Sequence, residues 1–216
     1  FINQYPDCVA KLLRVQINST TGEVEQLPGM ITDSSPIGPS TLIGGTFPNI
    51  ISKAKSKGYV DNETLFSVGY NYFLHPITSY AVYDKLKAKI EEEYQKTKEK
   101  AVILSYSQGT SFVSIFISNY SSPDWVKKYI ESVVFLAPAF AGWSTFDNLV
   151  NQNLPYLPTN DEMKKSIMRM PGLHIMMPNY AVFGDTTIIY NMNKDYDQHD
   201  ASHAFEFLKL KGKVDD

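Results

Sequence analysis

Ala101-Val102-Ile103-Leu104-Ser105-Tyr106-Ser107-Gln108-Gly109-Thr110 is the stretch whose reading decides the fold. Its four leading apolar residues carry no helical period, and small residues flank Tyr106, so the run reads as a buried strand that stops abruptly. From Phe112 through Ile115 and Phe116 to Asn119 the chain reads as a helix. Strand, tight bend and helix follow one another directly, with Ser107 at the bend.

That order is the layout of the nucleophile elbow of α/β-hydrolases, and the chemistry accounts for the residue types. A serine hydroxyl is a weak nucleophile and must stand clear of the sheet, where a base can take its proton. The sharp turn lifts it, strains the backbone at Ser107 and brings strand and helix close, so positions 105 and 109 are expected to be small. Ser105 and Gly109 meet that demand. The helix after the bend also points unpaired backbone N–H groups at the site, and the N–H of Gln108 is the expected first donor of an oxyanion hole.

Composition narrows the function classes. The chain has 216 residues, 43% hydrophobic and 20% charged, long enough to bury roughly 70% of its unfolded surface in one domain. A net charge of −3 offers no long-range attraction for phosphates, so nucleic acid is not an expected partner, and any membrane contact would be apolar. No run reaches the about eighteen apolar residues of a spanning helix. The chain opens on Phe1, which reads as processing or trimming and leaves destination open. Cys8 is the one cysteine; it is a reduced thiol, an intermolecular half-cystine or the partner of a cysteine outside these residues, and on sequence alone a small buried hydrophobe is the favoured reading. No histidine or cysteine spacing suits a metal, so neither metal nor organic cofactor is expected. Asn18, Asn62 and Asn119 each begin a glycosylation sequon.

Around the bend, other elements fall into place. A strand is predicted at Leu13 to Ile17, a turn at Thr20 to Gly22, loop from Ser34 to Gly45, and a short helix from Ile50 to Lys57 stopped by Gly58. Leu65 to Tyr70 reads as a strand. Tyr83, Leu86, Ile90 and Tyr94 fall at helical spacing, with the charges on other faces. Pro123 opens a short helix, and Ile130 to Leu136 reads as a further strand. Alternating strands and helices predict a mostly parallel sheet with helices on both faces, its site at the carboxyl ends of the strands, where the loop from Ala137 to Gly142 also emerges. A helix is predicted from Asp161, and a polar surface helix through Asp197-Gln198-His199-Asp200. Met168, Met170, Met176 and Met177 read as core.

The order of these pieces resembles the lecithin:cholesterol acyltransferase family, with its phospholipid:diacylglycerol acyltransferases and lysosomal phospholipase. The resemblance rests on Asp7-Cys8, on Ile17 to Gly22 with Leu27-Pro28-Gly29, and on Gly58-Tyr59 through Tyr70-Asn71-Tyr72-Phe73-Leu74-His75-Pro76. It continues in Ser105 to Gly109, in Leu136, Phe140 and Gly142, and in Tyr190 to Tyr196. Ser105 and Tyr106 stand where the family has Gly and His, and Asn71, Tyr72 and Phe73 where it has Asp, Trp and Arg.

The resemblance implies an α/β-hydrolase core over residues 1–142, a cap-like region over 143–216, and a chain incomplete at both ends. It implies a serine-dependent O-acyltransferase or phospholipase acting on glycerophospholipid esters through an acyl-enzyme. Ser107 would be the nucleophile, Gln108 the backbone oxyanion donor, and Tyr72 and Phe140 substrate contacts. Partners would be a phospholipid and an acyl acceptor (a sterol, diacylglycerol, another alcohol or water), at a lipid surface and in the secretory pathway. It also implies that Cys8 pairs with an upstream lid cysteine, and that the triad acid and histidine lie beyond this chain. Within the chain, Asp185, Asp195, Asp197 or Asp200 followed by His199 or His203 satisfies the triad's order, but the strand expected before the acid and the one expected before the histidine are not both there. His75 and His174 read as structural. The alternatives are a non-catalytic fragment or degenerate homologue that binds lipid or a partner, and a plain esterase of small soluble substrates.

Overall fold

The computed structural model describes residues 4–18, 20, 24–27, 36–43, 47–142, 160–186, 189–191 and 197–199. Helix α1 (Pro6–Leu12) precedes the antiparallel pair β1 (Val15–Ile17) and β2 (Val24–Gln26). Next come β3 (Ile37–Gly38), a 3-10 turn (Ser40–Ile43), α2 (Pro48–Ser56) and β4 (Ser67–Val68), which pairs antiparallel with β3. A 3-10 turn (Pro76–Thr78) opens α3 (Tyr80–Thr97). Then follow β5 (Ala101–Tyr106), α4 (Gln108–Ile115), a π turn (Phe116–Tyr120), α5 (Pro123–Tyr129) and β6 (Ile130–Leu136), which runs parallel to β5. Beyond lie α6 (Asp161–Met168), α7 (Pro171–His174), α8 (Tyr180–Phe183) and the antiparallel pair β7 (Ile189–Asn191) and β8 (Asp197–His199). The fold is mixed α/β of the α/β-hydrolase kind. No helix among the described residues is long and apolar enough to cross a membrane.

The chain forms two compact units, residues 31–72 with 76–136 and residues 1–30 with 73–75 and 137–216. In the first of these, β5 and β6 present one face to the helices. Ile103, Val133 and Phe135 pack on a buried cluster of Tyr83, Leu86, Ile90, Phe112, Val113, Phe116, Trp125, Tyr129 and Ile130. The alternate residues of the same strands, Val102, Leu104, Tyr106 and Val134, are exposed, as the period of two in a strand requires. Helix α3 buries Tyr83, Leu86 and Ile90, the stripe its 3.6-residue period predicts. It ends on Lys98 in the left-handed conformation, with its N–H bonded to Tyr94 O. Ser122 caps α5 by accepting from Trp125 N–H at 3.3 Å, and Gly58, with φ of 96°, follows α2. Asp61 clips this unit together: its carboxylate accepts from Lys55 Nζ at 2.8 Å, from Ser40 N–H at 2.7 Å and from Ser40 Oγ at 2.8 Å. The lysine first, then the serine, holds its pKa at about 2.

The other unit is built on methionine. Met163, Met168, Met170 and Met176 are buried with Val9, Ala10, Phe73, Ala139, Ile167 and Leu173, so the methionine run is core, as expected. Asn160 caps α6, accepting from Met163 N–H at 2.7 Å while its amide donates to Asp7 Oδ1 at 2.9 Å. Ser166 Oγ ties α6 to α1 by donating to Ala10 O at 3.0 Å.

Three expectations are corrected. Cys8 is exposed, where a small buried hydrophobe was favoured, because Val9 and Ala10 occupy the buried face of α1. Residues 197–199 form a strand, where a polar surface helix was expected; pairing with 189–191 overrides their polar composition. The strand expected over Leu65 to Tyr70 shrinks to Ser67–Val68, and its partner, Ile37–Gly38, falls within the stretch predicted as loop.

Candidate functional site

Ser107 sits between β5 and α4 with φ of 51° and ψ of −125°. This is a conformation a non-glycine residue adopts only where its surroundings enforce it. Here the enforcement is visible on both sides. The Ser107 N–H donates to Leu136 O at 3.0 Å, extending the β5–β6 ladder into the bend. Its carbonyl accepts from Thr110 N–H at 3.0 Å and from Thr110 Oγ1 at 2.6 Å. Thr110 is wholly buried, so that grip is set in the core. The hydroxyl of Ser107 makes no capping bond to α4, and the residue is half-buried.

The packing under the bend is looser than a demand for small residues implies. A Cβ on Gly109 would meet Tyr70 Oη at 3.8 Å and Ser105 Cβ at 4.0 Å, ordinary contact distances. Position 109 has room for a methyl group, and a longer side chain would run into Tyr70. Ser105 itself is buried, and its hydroxyl finds no hydrogen-bond partner.

Gln108 is the first residue of α4, which places its backbone N–H at the N-terminal end of the helix. Its side chain turns back to the segment after β4. The amide Nε2 donates to Tyr72 O at 2.9 Å, and Tyr70 Oη donates to Oε1 at 3.4 Å. Tyr70 also stacks on Phe112, one helical turn beyond Gln108, with ring centroids 4.3 Å apart and planes inclined by 20°. Burial pushes the Tyr70 phenol well above its ordinary pKa, so it is a neutral donor. Tyr70 was legible in the sequence as the end of a strand and the start of the run to Pro76 that carries the resemblance; its contact with Gln108 across 38 positions leaves no local signal.

The expected site residues divide between the two units. Ser107, Gln108 and Tyr72 share one, the first two as neighbours and the third through its carbonyl. Tyr72 is 40% exposed and Phe140, in the other unit, 46%, so both present ring surface to solvent. His75 and His174, read from the sequence as structural, have pKa values lowered by burial. Asp185 Oδ1 accepts from Tyr180 Oη at 3.0 Å. Asp197 and His199 belong to a strand pair, and Asp195, Asp200 and His203 lie outside the described residues. No group of three metal-ligating side chains occurs among the described residues. A surface depression of about 380 Å³ opens beside Phe66, Lys85 and Glu92; Ser107 is not among the residues that line it.

Comparison with known proteins bears on this geometry. A family model described as lecithin:cholesterol acyltransferase matches residues 4–207. The mouse phosphatidylcholine-sterol acyltransferase is 22% identical over 218 aligned residues, covering 95% of this chain and 49% of its own. The chain thus spans about half the length of the curated relative it matches.

Proposed function

The chain belongs to the lecithin:cholesterol acyltransferase family, and from that premise we propose that the natural protein is a serine-dependent acyltransferase or phospholipase acting on glycerophospholipid esters. Ser107 Oγ attacks the ester carbonyl carbon while a histidine base takes the hydroxyl proton. The carbonyl oxygen becomes an oxyanion, which the Gln108 N–H stabilises. Collapse breaks the bond to the leaving alcohol, which receives the proton, and leaves the acyl group on Ser107. An acceptor hydroxyl, from a sterol, diacylglycerol, another alcohol or water, then attacks the acyl-enzyme and restores the serine. Which acceptor reaches the site decides between transfer and hydrolysis. The ring faces of Tyr72 and Phe140 are apolar surface suited to acyl chains.

One observation carries this reading: a serine with positive φ, gripped at both its backbone N–H and its carbonyl, at the carboxyl end of a parallel strand and the start of a helix. The backbone strain there is the kind stored at reactive positions. The reading is tested by treating the natural full-length protein with a fluorophosphonate, which phosphonylates an activated serine. Labelling is expected on Ser107 and is expected to vanish in Ser107→Ala. Undiminished labelling of the alanine variant would place the nucleophile elsewhere.

A further inference from the structure

We infer that Asn62 is a modification site, carrying an N-linked oligosaccharide whose first sugar lies against α3. The inference is independent of the serine chemistry and needs only that the chain pass through the secretory pathway. Asn62-Glu63-Thr64 satisfies the acceptor sequon, and the fold displays it on a braced turn. The N–H groups of Glu63, Thr64 and Leu65 converge on Val60 O at 3.1, 2.9 and 3.0 Å, and Asn62 N–H donates to Leu65 O at 2.8 Å. Thr64 Oγ1 accepts from Val60 N–H at 2.8 Å. Next to the sequon, Asp61 ties the turn to Lys55 and Ser40. Asn62 has φ of 62°, in the left-handed region that asparagine enters more readily than most residues. All three sequon residues are exposed, so a bulky substituent there meets solvent rather than core.

Two further observations single out this sequon. The other two hand the asparagine oxygen to the fold: Thr20 N–H donates to Asn18 Oδ1 at 2.9 Å, and Ser118 Oγ to Asn119 Oδ1 at 2.7 Å. Ser121, the third residue of the Asn119 sequon, is buried. Asn62 also lines the surface depression of about 380 Å³, together with Phe66, Lys85, Ala88, Lys89 and Glu92. A pyranose has apolar C–H faces and a rim of hydroxyls. Ala88 and the Phe66 edge suit the faces, while the two ammonium groups and the Glu92 carboxylate suit the rim. Lys89 Nζ is already steadied there, 4.6 Å from the Phe66 ring centroid and 2.9 Å from Glu93 Oε1.

The donor is a lipid-pyrophosphate-linked oligosaccharide with an N-acetylhexosamine at its reducing end, used by a membrane transferase. Asn62 Nδ2 bonds to the anomeric carbon of that sugar. The bond from that carbon to the pyrophosphate oxygen breaks, and the lipid pyrophosphate leaves with the electron pair. One amide proton passes to a base of the transferase.

The test uses the natural full-length protein isolated from cells that make it. Treatment with an amidase that converts glycosylated asparagine to aspartate, in heavy-oxygen water, is expected to leave heavy aspartate at position 62 of the tryptic peptide 58–85. Unmodified asparagine throughout that peptide would overturn the modification. Asn62→Asp keeps a residue that tolerates positive φ and is expected to lower the mass of the intact protein by one oligosaccharide; an unchanged mass would overturn it as well. If the variant does not fold, the wild-type peptide decides alone. The seat is read separately, by amide hydrogen exchange over residues 85–92. Protein trimmed to a single sugar is expected to exchange about threefold more slowly there than protein stripped by the amidase. Equal exchange would overturn the seat against α3 and leave Asn62 as an acceptor whose glycan stands free in solvent.

Discussion

The two units solve the same problem, burying apolar surface, with different side chains. Around α3, α4 and α5 the core is aromatic and directional. Tyr83 packs on Phe112 at 4.7 Å and on Phe116 at 5.5 Å, Phe116 meets Trp125 edge-on at 5.6 Å, and Trp125 meets Tyr129 at 5.2 Å. The polar tips are tied down as well: Tyr83 Oη lies 2.9 Å from Pro76 O and 3.1 Å from Phe112 O, and Trp125 Nε1 donates to Glu91 at 2.6 Å. The core around α1 and α6 is methionine, unbranched and adaptable. Rings with fixed partners admit few arrangements, whereas thioethers admit many. The unit that carries the bend at Ser107 is the one whose core specifies geometry. The methionine unit specifies its own geometry through backbone.

Gly142 is where that backbone specification concentrates, and changing it should produce the largest effect. Its φ is 92°, and a Cβ there would lie 2.5 Å from Met177 O and 2.6 Å from Pro178 Cα. Neither atom is the end of a flexible side chain, and Asn179 N–H donates to Ala141 O at 3.0 Å across the same contact. Soft methionines nearby cannot relieve a clash with main chain. Gly142→Ala is expected to cost about 3 kcal/mol or more, measured by urea denaturation. A loss below about 1 kcal/mol would show that the whole unit, backbone included, is as adaptable as its side chains.

The aromatic unit was also the more legible in sequence, for a physical reason. Tyr83, Leu86 and Ile90 are core because a long helix against a sheet imposes its period on the sequence. The bend at Ser107 was readable because small residues and a glycine stand between a short apolar run without helical period and a run that reads as a helix. Ser122-Pro123 announced α5 by local capping chemistry. What sequence could not supply were contacts made across long separations. The pairing of Ile37–Gly38 with Ser67–Val68 is one, the strand at 197–199 another, and the Tyr70–Gln108 contact a third. Cys8 shows the complementary failure: on a seven-residue helix, one step along the chain separates the buried face from the exposed one.

The contrast between the cores sharpens with one matched pair of substitutions of intermediate effect. Phe116 and Met170 are both wholly buried, and leucine fits either position in polarity. Phe116→Leu forfeits ring contacts with Tyr83, Tyr120 and Trp125, each worth about 0.5–1.5 kcal/mol beyond area, so a loss of about 2–3 kcal/mol is expected. Met170→Leu conserves volume in a deformable setting and is expected to cost under about 1.5 kcal/mol. Equal losses in denaturant melts would erase the distinction between a directional and an adaptable core.

The smallest effect is expected directly beneath the bend. Ser105 buries its side chain, with 7% of the residue exposed, and leaves Oγ without a hydrogen-bond partner. A buried hydroxyl of that kind costs its desolvation and recovers nothing. Ser105→Ala removes the orphaned group while keeping the Cβ that would touch a methyl at position 109. Stability should therefore stay level or rise by up to about 1 kcal/mol. The Ser107 backbone, held from Leu136 and Thr110, should keep its conformation, so the fluorophosphonate rate should not move. A destabilisation of about 1 kcal/mol or more would mean that the hydroxyl has a partner, such as an ordered water, and that the bend is supported from below as well as from its two sides.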